Sequence, residues 1–177
     1  MNNVYIFDVD GTLTPSRKVM TKEFLEFFDT WSKENTFYLV SGSDLKKMSE
    51  QVPPHILKRA EGLFTCGGND YYKDGKQVYY NEFAPPEDLV KFLEEQLEHS
   101  PYGTRAGNHI ENRGSMLNFS IVGRDCTDKE REDYFQYDLV SKEREIIAGL
   151  INEQWIDIEA VIGGQISIDI APRGNDK

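Results

Sequence analysis

The sequence predicts an α/β fold, with a core built on a parallel sheet and a smaller α+β domain inserted into it. Three observations carry this expectation. Val4-Tyr5-Ile6-Phe7 is an apolar run of β-branched and aromatic residues that reads as a buried, central strand of a parallel sheet. A helical pattern and a second apolar run, Phe37-Tyr38-Leu39-Val40, follow it in the strand-helix-strand order of a parallel pair. From Arg105 the pattern turns to antiparallel strands interleaved with helices, after a break at Pro85-Pro86. The expected division is a core over residues 1–83, to which 172–177 return, and an inserted domain over 84–171.

The first strand ends in Asp8 and Asp10, spaced i, i+2, and then Gly11. Ligands of open α/β sheets bind at the carboxyl ends of strands. Because the chain is leaving the sheet here, both carboxylates can converge on one point, with Gly11 supplying the turn. The plain reading is a solvated Asp-Gly turn. The sharper one is a metal-assisted nucleophile beside a general acid/base, since Mg²⁺ takes carboxylate oxygens and a carboxylate can attack phosphorus. An apolar strand before the pair and a polar loop after it favour the second.

Thr21 is placed to cap a helix reaching about Lys33, with Phe24, Phe27, Phe28 and Trp31 packing on the sheet. The second strand runs into Ser41-Gly42-Ser43-Asp44, where Ser43 or Asp44 can cap the next helix and a serine hydroxyl can donate to a group beside Asp8. Both serines stay open for that role. Leu63-Phe64-Thr65-Cys66 is a third strand, and Tyr71 to Tyr80 a hairpin turning at Asp74-Gly75. A helix from about Glu87 buries Leu89, Phe92, Leu93 and Leu97.

In the inserted domain, Ser115 to Arg124 alternates, with Leu117, Phe119 and Ile121 on one face and Asn118, Ser120 and Arg124 on the other. Thr127-Asp128-Lys129-Glu130 is a capping box, and it puts Arg131 in the first turn of its helix, where a cation opposes the dipole unless an anion is near. A helix over Ser141 to Asn152 is expected to turn Ile146, Ile147, Leu150 and Ile151 inward. Strands at Ile156 to Ile162 and Gln165 to Ile170 form a hairpin about Gly163-Gly164. Ile166, Ile168 and Ile170 share one face of it, while Gln165, Ser167 and Asp169 share the other, which suits either a solvated face or the binding of sugar hydroxyls.

A net charge of −11 over 177 residues argues against nucleic acid as a partner. No apolar run approaches membrane-spanning length, and the first residues enter a strand rather than a signal peptide. Two cysteines, Cys66 and Cys126, make neither a disulfide framework nor a zinc site and suit a reducing, cytoplasmic setting. An acidic chain that handles phosphate must concentrate its arginines at the site. Arginine forks suit bidentate phosphate binding, and Arg113, Arg124 and Arg131 fall within one short region.

The string DVDGTLT at Asp8 to Thr14 resembles the first motif of the haloacid dehalogenase (HAD) superfamily of phosphoryl-transfer enzymes. With GSD at Gly42 to Asp44, YKDGK at Tyr72 to Lys76, GSMLN at Gly114 to Asn118, GRDCTDKER at Gly123 to Arg131 and GGQISID at Gly163 to Asp169, the likeness narrows. The chain resembles the eukaryotic-type phosphomannomutase family from Asp8 to Lys177. That resemblance implies a HAD-like Rossmannoid core with an α+β cap. It implies Asp8 as nucleophile, Asp10 as acid/base, Mg²⁺ against both, and a hexose 1,6-bisphosphate activator. It implies Arg17 near the substrate and Arg113, Arg124 and Arg131 on the distal phosphate. Asn118, Ser167 and Asp169 are assigned with the substrate-binding cap face, and Lys177 is the third-motif lysine. Ser41 or Ser43 takes the second-motif position.

The implied reaction interconverts mannose 6-phosphate and mannose 1-phosphate, with glucose phosphates as secondary substrates and a homodimer formed through the cap. A HAD sugar-phosphate phosphatase, or a catalytically incomplete phosphosugar-binding homologue, is the alternative. The family's pattern continues past the Lys177 position into a fourth motif that completes its metal site; this sequence ends at Lys177.

Overall fold

The computed structural model describes residues 3–15 and 18–174. It forms two compact units, one built on residues up to Asn81 and the other spanning Glu82–Gly174. In the first, strands β1 (Val4–Asp8), β2 (Thr36–Val40), β3 (Gly62–Thr65), β4 (Asp70–Lys73) and β5 (Lys76–Tyr80) make one sheet in that order. The first three run parallel and the last two complete it as an antiparallel hairpin. Asp74 and Gly75 turn that hairpin in the left-handed conformation, φ +50° and +73°, as tight two-residue turns require.

Helix α1 (Lys22–Trp31) crosses from β1 to β2, and α2 (Leu45–Gln51) with α3 (Pro54–Arg59) crosses from β2 to β3. The Thr21 hydroxyl caps α1 by accepting the Phe24 N–H at 3.4 Å. Phe28 packs edge-on to Phe7 and Phe37, with ring centroids 5.6 and 5.4 Å apart. Trp31 meets Tyr5 and Phe7 in the same manner at 5.0 and 5.4 Å. Leu39, Met48 and Ile56 fill the rest of this core.

Two expectations are corrected here. Among the described residues β1 is an edge strand rather than a central one, pairing only with β2, and Val4 and Ile6 on the face away from α1 are 58% and 67% exposed. An apolar run has the same composition in the middle of a sheet as at its margin, so the sequence does not separate them. Phe27, expected in the core, is largely exposed. Phe24, Phe28 and Trp31 already fill the stripe of α1 that faces the sheet, and Phe27 lies at its border against Phe24.

The second unit holds α4 (Glu87–His99), β6 (Ile110–Asn112), β7 (Leu117–Phe119), α5 (Asp128–Ser141), α6 (Glu143–Gln154), β8 (Ile158–Gly163) and β9 (Ser167–Pro172). Its sheet is antiparallel throughout, in the order β6-β7-β9-β8. Leu89 and Leu93 of α4, Tyr134 of α5 and Ile147 and Ile151 of α6 pack with Leu117, Phe119, Ile158, Ile168 and Ile170 of the strands. The Arg173 side chain closes the unit by donating to the Ile156 and Ile158 carbonyls at 2.7 and 3.1 Å.

Leu117, Phe119 and Ile121 enter the core while Asn118 bonds to Asp169 on the other face, but every residue from Ser115 to Val122 is buried and only Leu117–Phe119 is strand. β7 lies between two strands, and beyond it the chain turns back, with Ser120 Oγ accepting the Gly123 N–H at 3.3 Å. Gly123 is obligatory there, because a Cβ would sit 2.0 Å from the Ala106 carbonyl oxygen. On α6, Ile146 and Leu150 point outward, 58% and 42% exposed. The inward stripe is instead Arg144, Ile147, Ala148 and Ile151. Arg144 belongs to it because its guanidinium is neutralised by Asp138 at 2.8 Å. No helix among the described residues is long and apolar enough to cross a membrane.

Candidate active site

Asp8 is the last residue of β1 and stands opposite Val40. The parallel pairing runs one step further, the Val9 N–H donating to the Val40 carbonyl at 3.1 Å. There the chain winds into one tight turn. The Val9 carbonyl accepts from the amides of Thr12, Leu13 and Thr14 at 3.3, 3.0 and 3.0 Å and from the Thr14 hydroxyl at 3.2 Å. Gly11, at φ +81°, makes the turn possible. With the Val9 side chain fully buried, Asp8 and Asp10 flank it, both half-buried.

The tip of β2 lies beside them. Ser41 is buried, its hydroxyl oxygen accepting the Ser43 N–H at 3.0 Å, and Ser43 is half-buried. The cap of α2 is Asp44, whose Oδ1 accepts the Lys47 N–H at 2.8 Å, so neither serine is used as the cap. The loop after β3 is stitched to the same place, Cys66 N–H donating to the Ser43 carbonyl at 2.9 Å and Gly67 N–H to the Ser41 carbonyl at 3.0 Å. Cys66 is buried and left-handed at φ +50°, a conformation that costs a residue with a Cβ roughly 1–2 kcal/mol.

Sequence reading missed Gln51. This buried side chain at the end of α2 donates from Nε2 to Asp10 Oδ1 at 2.8 Å. Forty-one positions separate the two residues, and no local pattern joins them.

On the face of the second sheet opposite its core, neighbouring strands line up Glu111, Asn118 and Asp169 in one row. Asn118 Nδ2 donates to Asp169 Oδ1 at 2.5 Å, and Asn118 Oδ1 is buried with no hydrogen-bond partner among the described residues. Ser167 donates its hydroxyl to the Gly163 carbonyl at 2.7 Å. Gly163 must lack a side chain, since a Cβ would meet the Asp169 carboxylate at 2.6 Å.

At one end of the row Glu111 Oε2 accepts from Arg113 Nε and Nη2 at 3.0 and 2.5 Å and lies 3.5 Å from Arg124 Nε. The two arginines are thus brought together, their side chains only 5% and 11% exposed. Glu111 is the second residue that sequence reading missed; its signal was its place two residues before Arg113. Arg131 sits in the first turn of α5 behind the predicted capping box, in which Thr127 and Glu130 satisfy each other's N–H groups. Arg17 and Lys177 lie outside the described residues.

Among the described residues no cluster of three or more His, Cys, Asp or Glu side chains is arranged to hold a metal. Asp8 and Asp10 alone fit Mg²⁺, which takes one or two protein carboxylates and fills its remaining positions with water and substrate phosphate.

The fold that places these two strand tips side by side is shared by solved sugar phosphatases. The C-terminal domain of the C. albicans trehalose-6-phosphate phosphatase is similar with a TM-score of 0.67 at 18% identity, over 98% of this chain and 58% of that one. A HAD subclass IIB sugar phosphatase gives a TM-score of 0.57 at 13% identity, over 99% of this chain and 72% of that one. Those likenesses are of fold.

The sequence is closer to another branch. The profile of the eukaryotic phosphomannomutase family matches residues 24–177. The phosphomannomutase of Nicotiana benthamiana is 37% identical over 182 residues, covering 98% of this chain and 72% of the relative's length. This chain belongs to the eukaryotic phosphomannomutase family.

Proposed function

We propose that this chain interconverts mannose 6-phosphate and mannose 1-phosphate through a phosphoryl group carried on Asp8, with glucose phosphates as secondary substrates. A carboxylate oxygen of Asp8 attacks phosphorus of a hexose 1,6-bisphosphate. The bond from phosphorus to the sugar oxygen breaks, and Asp10 gives that oxygen a proton. A hexose monophosphate then binds, its free hydroxyl loses a proton to Asp10, and its oxygen takes the phosphoryl group, which regenerates Asp8. Ser41 or Ser43 donates a hydrogen bond to the transferring group, and Lys177 balances its charge. Mg²⁺, held by Asp8 and Asp10, would neutralise charge on the phosphoryl oxygens.

The phosphate that is not transferred is assigned to Arg113, Arg124 and Arg131, with Arg17 near the substrate. The sugar hydroxyls are assigned to Asn118, Ser167 and Asp169. The observation that carries the reading is the pair of nearly buried guanidiniums, Arg113 and Arg124, gathered on one carboxylate. A bisphosphate or a phosphosugar that binds in either direction needs a second anion site, which simple removal of phosphate does not. A homodimer through the second unit belongs to the same reading, and the exposed Leu139, Val140 and Ile146 give that unit apolar surface to bury. The free Cys66 and Cys126 suit a cytoplasmic setting.

Phosphorus NMR of the purified chain with Mg²⁺, mannose 1-phosphate and a trace of glucose 1,6-bisphosphate tests the proposal. Growth of a mannose 6-phosphate signal is expected. Growth of inorganic phosphate alone would make the chain a phosphatase, and an unchanged spectrum would leave a phosphosugar-binding protein.

A further inference from the structure

We infer that Gln165 is a positioning residue for the substrate, holding the sugar-binding strand at a set separation from the phosphate-binding helix. The inference rests on the proposed roles of Arg131 on the phosphate and of Ser167 and Asp169 on the sugar.

The two halves of that site belong to different elements. Arg131 stands on α5, whereas Ser167 and Asp169 stand on β9. Gln165 lies in the turn between β8 and β9, and its Nε2 donates to Glu132 Oε2 at 2.8 Å. Glu132 follows Arg131 directly on α5, and Gln165 comes two residues before Ser167. One side-chain hydrogen bond therefore ties the neighbour of the cation to the turn that leads into the sugar strand. The Arg144 guanidinium holds the same turn from α6, donating to the Gly164 and Ser167 carbonyls at 3.1 and 3.3 Å. Arg144 anchors the turn to α6, and Gln165 anchors it to α5.

The chemistry explains why an amide makes this tie. Glu132 Oε1 accepts from Gln136 Nε2 at 2.8 Å, so both oxygens of the carboxylate meet uncharged donors. On the other side of Arg131, Glu130 Oε2 accepts from the Thr127 N–H and hydroxyl, each at 2.8 Å. The two carboxylates that flank Arg131 in sequence are thus engaged by neutral groups, which suits a guanidinium assigned to a ligand's phosphate. A lysine in place of Gln165 would make the same tie but bring a charge next to the strand assigned to neutral hydroxyls. The tie acts on ligands that reach both elements at once, by fixing their separation before binding. Mannose 6-phosphate is such a ligand, whereas inorganic phosphate meets the arginines alone.

Calorimetric titrations of the full chain without Mg²⁺ compare those two ligands. Gln165→Met keeps the length of the side chain and removes its donor. Affinity for mannose 6-phosphate should fall about fivefold, the net size of one hydrogen bond. Affinity for inorganic phosphate should change by less than about twofold. In a Glu132→Met background the acceptor is already gone, so the same Gln165→Met change should move neither affinity by more than about twofold.

Equal losses with the two ligands, or no loss with either, would overturn the inference. So would a loss for mannose 6-phosphate that persisted in the Glu132→Met background, since Gln165 would then touch the sugar itself. A melting transition that disappeared in Gln165→Met would make the residue structural and overturn it as well. Arg131→Ala, run in parallel, separates the two levels. If Arg131→Ala weakens both ligands and Gln165→Met does not discriminate between them, Gln165 is wrong and Arg131 stands. If Arg131→Ala weakens neither, the assignment of Arg131 fails and takes this inference with it.

Discussion

Glu111 grips Arg113 through a single oxygen, Oε2 accepting from both Nε and Nη2 at 3.0 and 2.5 Å. The same oxygen lies 3.5 Å from Arg124 Nε. One carboxylate thus stands between two nearly buried cations, in the position an anionic ligand would relieve.

Replacing that carboxylate should therefore destabilise the empty protein more than the liganded one. Glu111→Gln leaves two guanidiniums close together with little water, and we expect a loss of about 2–4 kcal/mol, near what breaking a buried pair costs. Added inorganic phosphate should recover more of the melting temperature in the variant than in the parent, by mass action on the same arginines. Thermal melts across a phosphate titration check both parts.

Asp8→Asn removes the oxygen proposed to attack phosphorus while keeping the shape of the strand tip. Turnover should drop by at least about a thousandfold, with no phosphoenzyme formed. Intact-protein mass spectrometry after mixing with a hexose bisphosphate should show a phosphoryl adduct on the parent and none on the variant.

The buried pair Asp138–Arg144 joins the end of α5 to α6, with side chains 7% and 5% exposed. Arg144 also donates to the Gly164 and Ser167 carbonyls at 3.1 and 3.3 Å, so it supports the strand assigned to the sugar. Asp138→Ala should cost about 3–5 kcal/mol by stranding a buried guanidinium. The double change Asp138→Leu with Arg144→Met should recover much of that loss in a denaturant titration, while leaving the β8–β9 turn without its anchor.

Tyr134 gives the stability curve an alkaline edge. Its phenol is fully buried and donates to Glu143 Oε2 at 3.2 Å. Burial first, then the carboxylates of Glu143 and Asp138, hold its ionisation well above the ordinary 10.0. The unfolded chain ionises near pH 10 and the folded one resists, so the neutral phenol stabilises fully below pH 10. That stability is lost above it, by about 1.4 kcal/mol per pH unit. Denaturant midpoints measured between pH 9 and 11 should decline less steeply in Tyr134→Phe.

Gly163→Ala tests the polar face itself. The new Cβ would lie 2.6 Å from the Asp169 carboxylate. Asp169 must then swing or the strands must part, and overpacking of this kind costs about 1–3 kcal/mol. Affinity for mannose 1-phosphate should fall several-fold in calorimetric titrations, since Asp169 would move away from Asn118.

The parallel pair, the hairpin at Asp74-Gly75 and the capping box at Thr127 were legible because each is encoded within about ten neighbouring residues. So were Asp8 and Asp10, as a local spacing at a strand end. What was not legible depends on partners distant in sequence. Whether β1 is central or at the margin depends on which strands pair with it. Ile146 faces outward because Arg144, paired with Asp138, occupies a place that a hydrophobic count would not give it. Gln51 and Glu111 carry no motif of their own, and each meets Asp10 or the arginines only through the fold.

The aromatic packing of helix α1 on β1 has a mechanical consequence. Among the described strands, the strand that ends in Asp8 pairs with β2 from Val4 to Asp8. The same strand is held ring against ring, Tyr5 and Phe7 wedged edge-on against Trp31, and Phe7 against Phe28. Helix α1 therefore clamps the strand that presents Asp8, and on the proposed reaction a slackening of that aromatic grip is expected to change turnover.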